Sequence, residues 1–337
     1  MIPIRWNPYS QPRRPARKRL SDSISSGIKT NPNKLIIRAT VAPTMLNKQT
    51  IKAKTAPTDH NMEIIEQTVV PKNPAKKSED GIVVTDDFIA VIDGSTSKSD
   101  RRYSFFSSNG RYAMLTIAKF LRKAPKDLSC HQFCKGASLA IARHYRKSQL
   151  QHLAEHPEDR LTASCIVFSR LRREIWMIGD CQCLLGAIKR GETQPENYTF
   201  CDNPKPYEQE LAEQRAAIIQ SSNLPKEHFL TDDTARAAII PHMKETMRQQ
   251  NKTYSVIDGF PVAEKYVRTI VLDFQPWELI LASDGYPFLE PTLEASESRL
   301  AHQRETDPLN IGEFKATKAF AEGFNSFDDR AYIRFRV

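Results

Sequence analysis

Between residues 62 and 94 the apolar positions come in short runs rich in β-branched side chains. The run 62–70 (MEIIEQTVV) predicts a strand. The run 81–93 (GIVVTDDFIAVID) holds two apolar stretches around Thr-Asp-Asp and predicts a hairpin. Over 110–123 the period changes: Met114, Ile117, Ala118 and Leu121 fall three or four apart, the spacing of one helix face. A second helical stretch is predicted over 131–155. Strand texture returns at 163–169 (ASCIVFS), 174–179 (EIWMIG) and 183–188. Residues 205–250 are polar and helical, two helices divided near Pro225. Strands follow at 267–274 and 278–282, then a helix at 311–323 and a closing strand at 331–337 (AYIRFRV).

Runs of hairpin-spaced strands separated by groups of helices predict an α+β fold, with antiparallel sheets and helices packed outside them. No glycine-rich loop follows the first apolar strand, so a doubly wound nucleotide-binding fold has no support.

Of 337 residues, 40% are hydrophobic and 26% charged, the balance of a chain with a folded core. No stretch of about 18 apolar residues occurs, so no membrane-spanning helix is expected. The first residues carry no apolar signal region, and a cytoplasmic location is expected. The net charge of +9 is unevenly placed. Residues 1–60 hold 12 Lys and Arg against 2 Asp and Glu, whereas the remainder holds 37 against 38. The basic, proline- and serine-containing segment 1–61 reads as a loosely ordered extension able to contact an acidic partner. Residues 62–337 read as the folded domain, with no basic face for specific nucleic-acid binding. The six cysteines lack paired zinc-ligand spacing and read as reduced thiols.

Candidate chemistry lies where apolar strands end in Asp beside Gly. These sites are FIAVIDG (Asp93, Gly94), IWMIGD (Asp180) and LILASDG (Asp284). Two more acidic sites are Glu79-Asp80, before the hairpin, and Asp328-Asp329, before the last strand. A single Asp-Gly is an ordinary turn, and Asp258-Gly259 is read as one. Five acidic sites at strand ends call for a joint explanation. Carboxylates that converge repel one another and stay ionised only beside compensating charge. Hard divalent cations supply that charge, and an all-oxygen ligand set selects magnesium or manganese.

The ordered set SEDG (78–81), AVIDGST (90–96), LTASCIVF with IWMIGD (161–180), LILASDG (279–285) and FDDRAYI (327–333) resembles the protein phosphatase 2C family, the metal-dependent serine/threonine phosphatases. The resemblance covers residues 62–337. It implies a central sandwich of two antiparallel β-sheets flanked by helix pairs, with two or three Mn2+ or Mg2+ ions in a cleft at one end. It implies that Asp93 bridges two metals and that the Gly94 carbonyl ligates one. Asp284 and Asp328 would ligate the other, Glu79 and Asp80 would act through water, and Asp180 would serve a third, weaker ion. The implied activity is hydrolysis of phosphoserine and phosphothreonine in phosphoprotein substrates by water activated between two cations, with Asp93 and Asp284 as the catalytic ligands. Such water attack needs no nucleophilic side chain.

The chain departs from the family's pattern at Ser95-Thr96, at Cys181-Gln182 and at Asp329, and no histidine stands where some members draw a general acid. Lys76, Lys77, Arg101, Arg102 and Arg111 are candidate phosphate-gripping cations. Two alternatives stay open: a catalytically weak phosphatase-like scaffold module, and a phosphatase of a small phosphorylated metabolite. The helical region 205–262 is expected to shape substrate choice.

Overall fold

The computed structural model describes Lys34–Ile37, as backbone, and residues 62–337. Among the described residues eleven strands form two sheets. The strands are β1 (Lys34–Ile37), β2 (Glu63–Val70), β3 (Gly81–Val84), β4 (Phe88–Gly94), β5 (Ala163–Ser169), β6 (Glu174–Ile178), β7 (Gln182–Ala187), β8 (Thr199–Cys201), β9 (Arg268–Leu272), β10 (Trp277–Ala282) and β11 (Arg330–Arg336). One sheet runs β1-β9-β6-β5-β4-β3 and the other β2-β11-β10-β7-β8. Every pairing is antiparallel except β1 with β9. Lys34–Ile37 belongs to the segment read as an extension; the rest of 1–61 lies outside the described residues.

Side-chain alternation assembles the sandwich. Along β4, Ile89 and Val91 point between the sheets, where they meet Ile166, Phe168, Met177, Leu185, Leu279, Leu281, Ile333 and Phe335. Phe88, Ala90 and Ile92 point the other way, onto helices. Both faces are buried, so β4 reads as a continuous apolar run rather than an alternating one.

Helix α1 (Asn109–Leu121) lays Ala113, Met114, Ile117, Ala118 and Leu121 on that outer face. It begins at Ser108, whose hydroxyl accepts from the Arg111 N–H. Helix α2 (Cys130–Ala142) packs beside it through Phe133, Cys134, Ala137 and Ile141, behind a Ser129/Gln132 capping box. A second pair, α4 (Glu208–Ser221) and α6 (Thr234–Met247), is joined through the short α5 (His228–Thr231). The fold is thus the expected α+β sandwich of antiparallel sheets with helix pairs outside.

Several elements differ from the sequence reading, and β8 is one it does not anticipate. The stretch 131–155 is two helices, α2 and α3 (Leu150–Glu155). Between them Tyr145 is buried and donates its hydroxyl to the Asp258 carbonyl at 2.7 Å, which draws the chain out of helical register. Residues 311–323 form no helix. Their backbone groups are claimed by side chains: Asp307 accepts from the Ile311 and Gly312 N–H groups, and Asn310 donates to the Lys318 carbonyl. The helix of this region is α7 (Leu293–Thr306), started by Thr292. It buries only Ser296, Leu300 and Gln303, so the sequence shows no apolar stripe. Among the described residues no helix is long and apolar enough to cross a membrane.

Candidate metal centre

Strand ends from both sheets converge at one end of the sandwich. Asp93 stands in β4 directly opposite Ser164 of β5. The Ser164 hydroxyl donates to Asp180 Oδ1 at 2.6 Å. Asp180 lies just past β6, where Gly179 turns the chain at φ +82. That left-handed value favours glycine, and an added Cβ would also meet Ser164 Oγ at 2.1 Å. Asp284 follows β10, which pairs with β7 through Ala282 and Gln182. The side chain of Gln182 donates to the Ser283 and Tyr286 carbonyls and so fixes the loop that carries Asp284.

The result is an acidic trio. One carboxylate oxygen each from Asp93, Asp180 and Asp284 lies within 4.8 Å of the others. Burial, with Asp80 and Asp180 close by, pushes the Asp93 carboxyl well above its usual range. Burial, with Asp93 and Asp180 nearby, does the same to Asp284. Burial would raise Asp180 too, but the Lys205 ammonium 2.5 Å from its Oδ2, together with Ser164, holds it below the usual range. Three carboxylates that share one ammonium, all-oxygen donors and convergence within a few ångströms are the donor set of a hard divalent cation. Asp80 adds an observation of the same kind: it is buried, and its Oδ2 has no hydrogen-bond partner.

The other expected ligands stand differently. Asp328 and Gly94 line the same cavity of about 550 Å³ as the trio. Asp328 is clasped by two lysines: Lys72 Nζ lies 3.0 Å from Oδ1, and Lys318 bonds Oδ2. Burial opposes its charge, yet Lys318 and Lys72 hold Asp328 far below the ordinary carboxylate range. Glu79 faces a second, smaller cavity and accepts from the Thr96 hydroxyl. Asp329 takes both the backbone N–H and the ammonium of Lys72. Thr96, whose Oγ1 accepts from Lys72 Nζ at 2.9 Å, and Asp329, two of the departures from the family pattern, are both partners of this lysine. Gly94 and Gly110 press β4 onto the start of α1: a Cβ on Gly94 would lie 2.2 Å from the Gly110 carbonyl oxygen.

Of the five candidate phosphate grips, none lines the larger cavity. Lys76, Lys77, Arg101 and Arg102 border the smaller one, and Arg111 donates to the Ser78 carbonyl. The cations of the larger cavity are Lys98, Lys205, Lys315 and Lys318. Burial, with Arg236 and Lys318 near, draws Lys98 down to about 7. No sequence motif marks these lysines: the first two follow strand ends, and Lys315 and Lys318 sit in the irregular 311–323 segment. That segment is anchored by the buried Arg215, which donates to the Leu309 and Ala316 carbonyls and pairs with Asp233.

No protein-family model and no curated protein sequence matches the chain. Among solved structures it is similar to RsbX in complex with magnesium, at 11% identity and TM-score 0.39, over 82% of this chain and 98% of that one. It is similar to the PPM Ser-Thr phosphatase MsPP from Mycobacterium smegmatis in complex with cacodylate, at 13% and 0.39, over 81% and 98%. It is also similar to the Mycobacterium tuberculosis serine/threonine phosphatase PstP/Ppp, at 13% and 0.39, over 80% and 96%. At this distance the likeness assigns no residue a role.

Proposed function

We propose that the chain hydrolyses phosphomonoesters, with phosphoserine and phosphothreonine in proteins as the substrate class and Mg2+ or Mn2+ as the cofactor. The observation that carries this reading is the convergence of Asp93, Asp180 and Asp284 within 4.8 Å, three carboxylates that share the single ammonium of Lys205, itself paired with Asp180. Asp93, Asp180 and Asp284 would hold the cation, with Gly94 and Asp80 beside them. A divalent cation there supplies Lewis-acid charge to phosphoryl oxygens and a water of lowered pKa.

The surrounding residues account for the rest. Lys98, Lys205 and Lys318 border the cavity and attract a dianionic phosphate ester. Lys98, poised near 7, can hold a proton at Nζ and release it to a departing alkoxide, the role for which no histidine is available. Its Nζ also donates to the Thr96 carbonyl at 2.6 Å, which orients it. A scaffold module has no need of converging carboxylates, and Asp93, Asp180 and Asp284 lie together.

The test is phosphate release from a phosphothreonine peptide by the purified chain with Mn2+, before and after chelator. Turnover that chelator abolishes and Asp284→Asn lacks is expected. Turnover indifferent to chelator would overturn the reading.

A further inference from the structure

The resemblance implies two or three metal ions with Asp328 as a ligand. The side chains around Asp328 do not fit that role. Both of its carboxylate oxygens are capped by ammonium groups, Oδ1 by Lys72 and Oδ2 by Lys318, and Oδ1 also accepts from the Asp329 N–H. Lys72 itself is fixed at every donor. An ammonium has three N–H bonds, and oxygen partners surround this one: Asp328 Oδ1 at 3.0 Å, Thr96 Oγ1 at 2.9 Å and Asp329 Oδ2 at 3.2 Å, with Glu79 Oε2 at 3.7 Å. Its backbone is held as well. The N–H donates to Asp329 Oδ1 at 2.9 Å, and its carbonyl accepts from the Asn325 N–H at 2.7 Å. This is the oxygen surround of a bound cation, built with a side chain.

The charges divide the same way. On one side the three carboxylates of Asp93, Asp180 and Asp284, with the buried Asp80 beside them, face one ammonium, Lys205, an excess of negative charge that a divalent ion would offset. On the other side Glu79, Asp328 and Asp329 face two, Lys72 and Lys318. A divalent ion added there would have to displace an ammonium from a carboxylate.

We propose that Lys72 and Lys318 take the place of a metal on the Asp328 side, so that the centre binds a single divalent ion, on Asp93, Asp180 and Asp284. The proposal rests on the metal-dependent reading above and deepens it: one wall of the cleft carries two fixed ammonium groups, Lys72 and Lys318, whatever the metal supply.

The test is equilibrium binding of Mn2+ to the full chain, followed by the spin-resonance signal of free Mn2+ and by metal analysis after dialysis. One Mn2+ per chain is expected. Asp328→Asn should leave that number at one and lower the affinity by no more than about tenfold, the effect of one nearby charge, whereas Asp284→Asn should abolish binding. The double change Lys72→Met with Lys318→Met should admit a second ion. Two or more ions in the unaltered chain, one of them lost in Asp328→Asn, would overturn this proposal and leave the metal-dependent reading standing. No Mn2+ binding at all would instead overturn that reading, and this one with it. The unaltered chain and Asp328→Asn decide the matter even if the double variant does not fold.

Discussion

Lys205 stands against Asp180, its Nζ 2.5 Å from Oδ2, and is the ion-pair partner of the one trio member that keeps an ordinary charge. Lys205→Met should therefore act in opposite directions on two ligands. Removing a positive charge beside the trio should tighten Mn2+ binding about tenfold. The same change should raise KM for an anionic ester, because a cavity-lining cation is gone. Calorimetry and steady-state kinetics on one preparation separate the two effects; a parallel weakening of both would contradict the assignment.

The trio should destabilise the metal-free fold at neutral pH. A carboxyl whose folded pKa is raised binds more protons folded than unfolded between its two pKa values. Stability is then fully present below the unfolded value and falls as pH rises toward the folded one. Asp93 and Asp284 are both of this kind. In chelator, thermal stability should drop as pH rises above about 4, the unfolded carboxylate value. Asp284→Asn should raise Tm at pH 7 by several degrees, on the order of 1–2 kcal/mol, while losing metal-dependent activity. Calorimetric melts over pH 4 to 8 check this, and a destabilised Asp284→Asn would contradict it.

Lys98 should set a falling limb in the pH–rate profile. It is charged below about 7 and loses its proton above, so an acid role weakens as pH rises through 7. Lys98→Met should lower kcat by about 10²-fold or more and abolish that limb. An unchanged profile in the variant would remove Lys98 from the chemistry.

Gly110→Ala gives a sharp packing test. In a free helix the change is worth about 1 kcal/mol in favour of the helix. Here an added Cβ would lie 2.5 Å from the Gly94 carbonyl oxygen and 2.8 Å from Glu79 Oε1. The variant should lose about 1–3 kcal/mol in urea unfolding instead, and should bind metal more weakly because Gly94 follows Asp93. A stabilised variant would show that the contact relaxes freely.

The parts of the molecule legible in the sequence are those whose apolar side chains fill the core, on one face or both, or that end a strand. FIAVIDG announces a buried strand, and its terminal Asp93 a site. Met114, Ile117 and Leu121 announce α1. Polar logic hid the remainder. Helix α7 buries Ser296 and Gln303 where an apolar stripe would be sought, and 311–323 carries helix-forming residues whose backbone is taken by Asp307 and Asn310. Asp93, Asp180 and Asp284 each end an apolar run and so stand out as candidates; that these three converge, while Asp328 is held by Lys72 and Lys318, follows only from the tertiary fold. The lysines that complete the site come from separate places along the chain, Lys72 after β2, Lys98 after β4, Lys205 after β8 and Lys318 near β11. Only tertiary folding brings them to the acidic cluster.

The most direct test of the central claim is hydrolysis of a generic aryl phosphate by the purified chain with Mn2+, set beside Asp93→Asn at matched folding. The account predicts turnover that chelator removes, that added Mn2+ restores, and that falls at least 10³-fold in the variant, about 4 kcal/mol in the barrier. An Asp93→Asn chain as active as the unaltered one would contradict it.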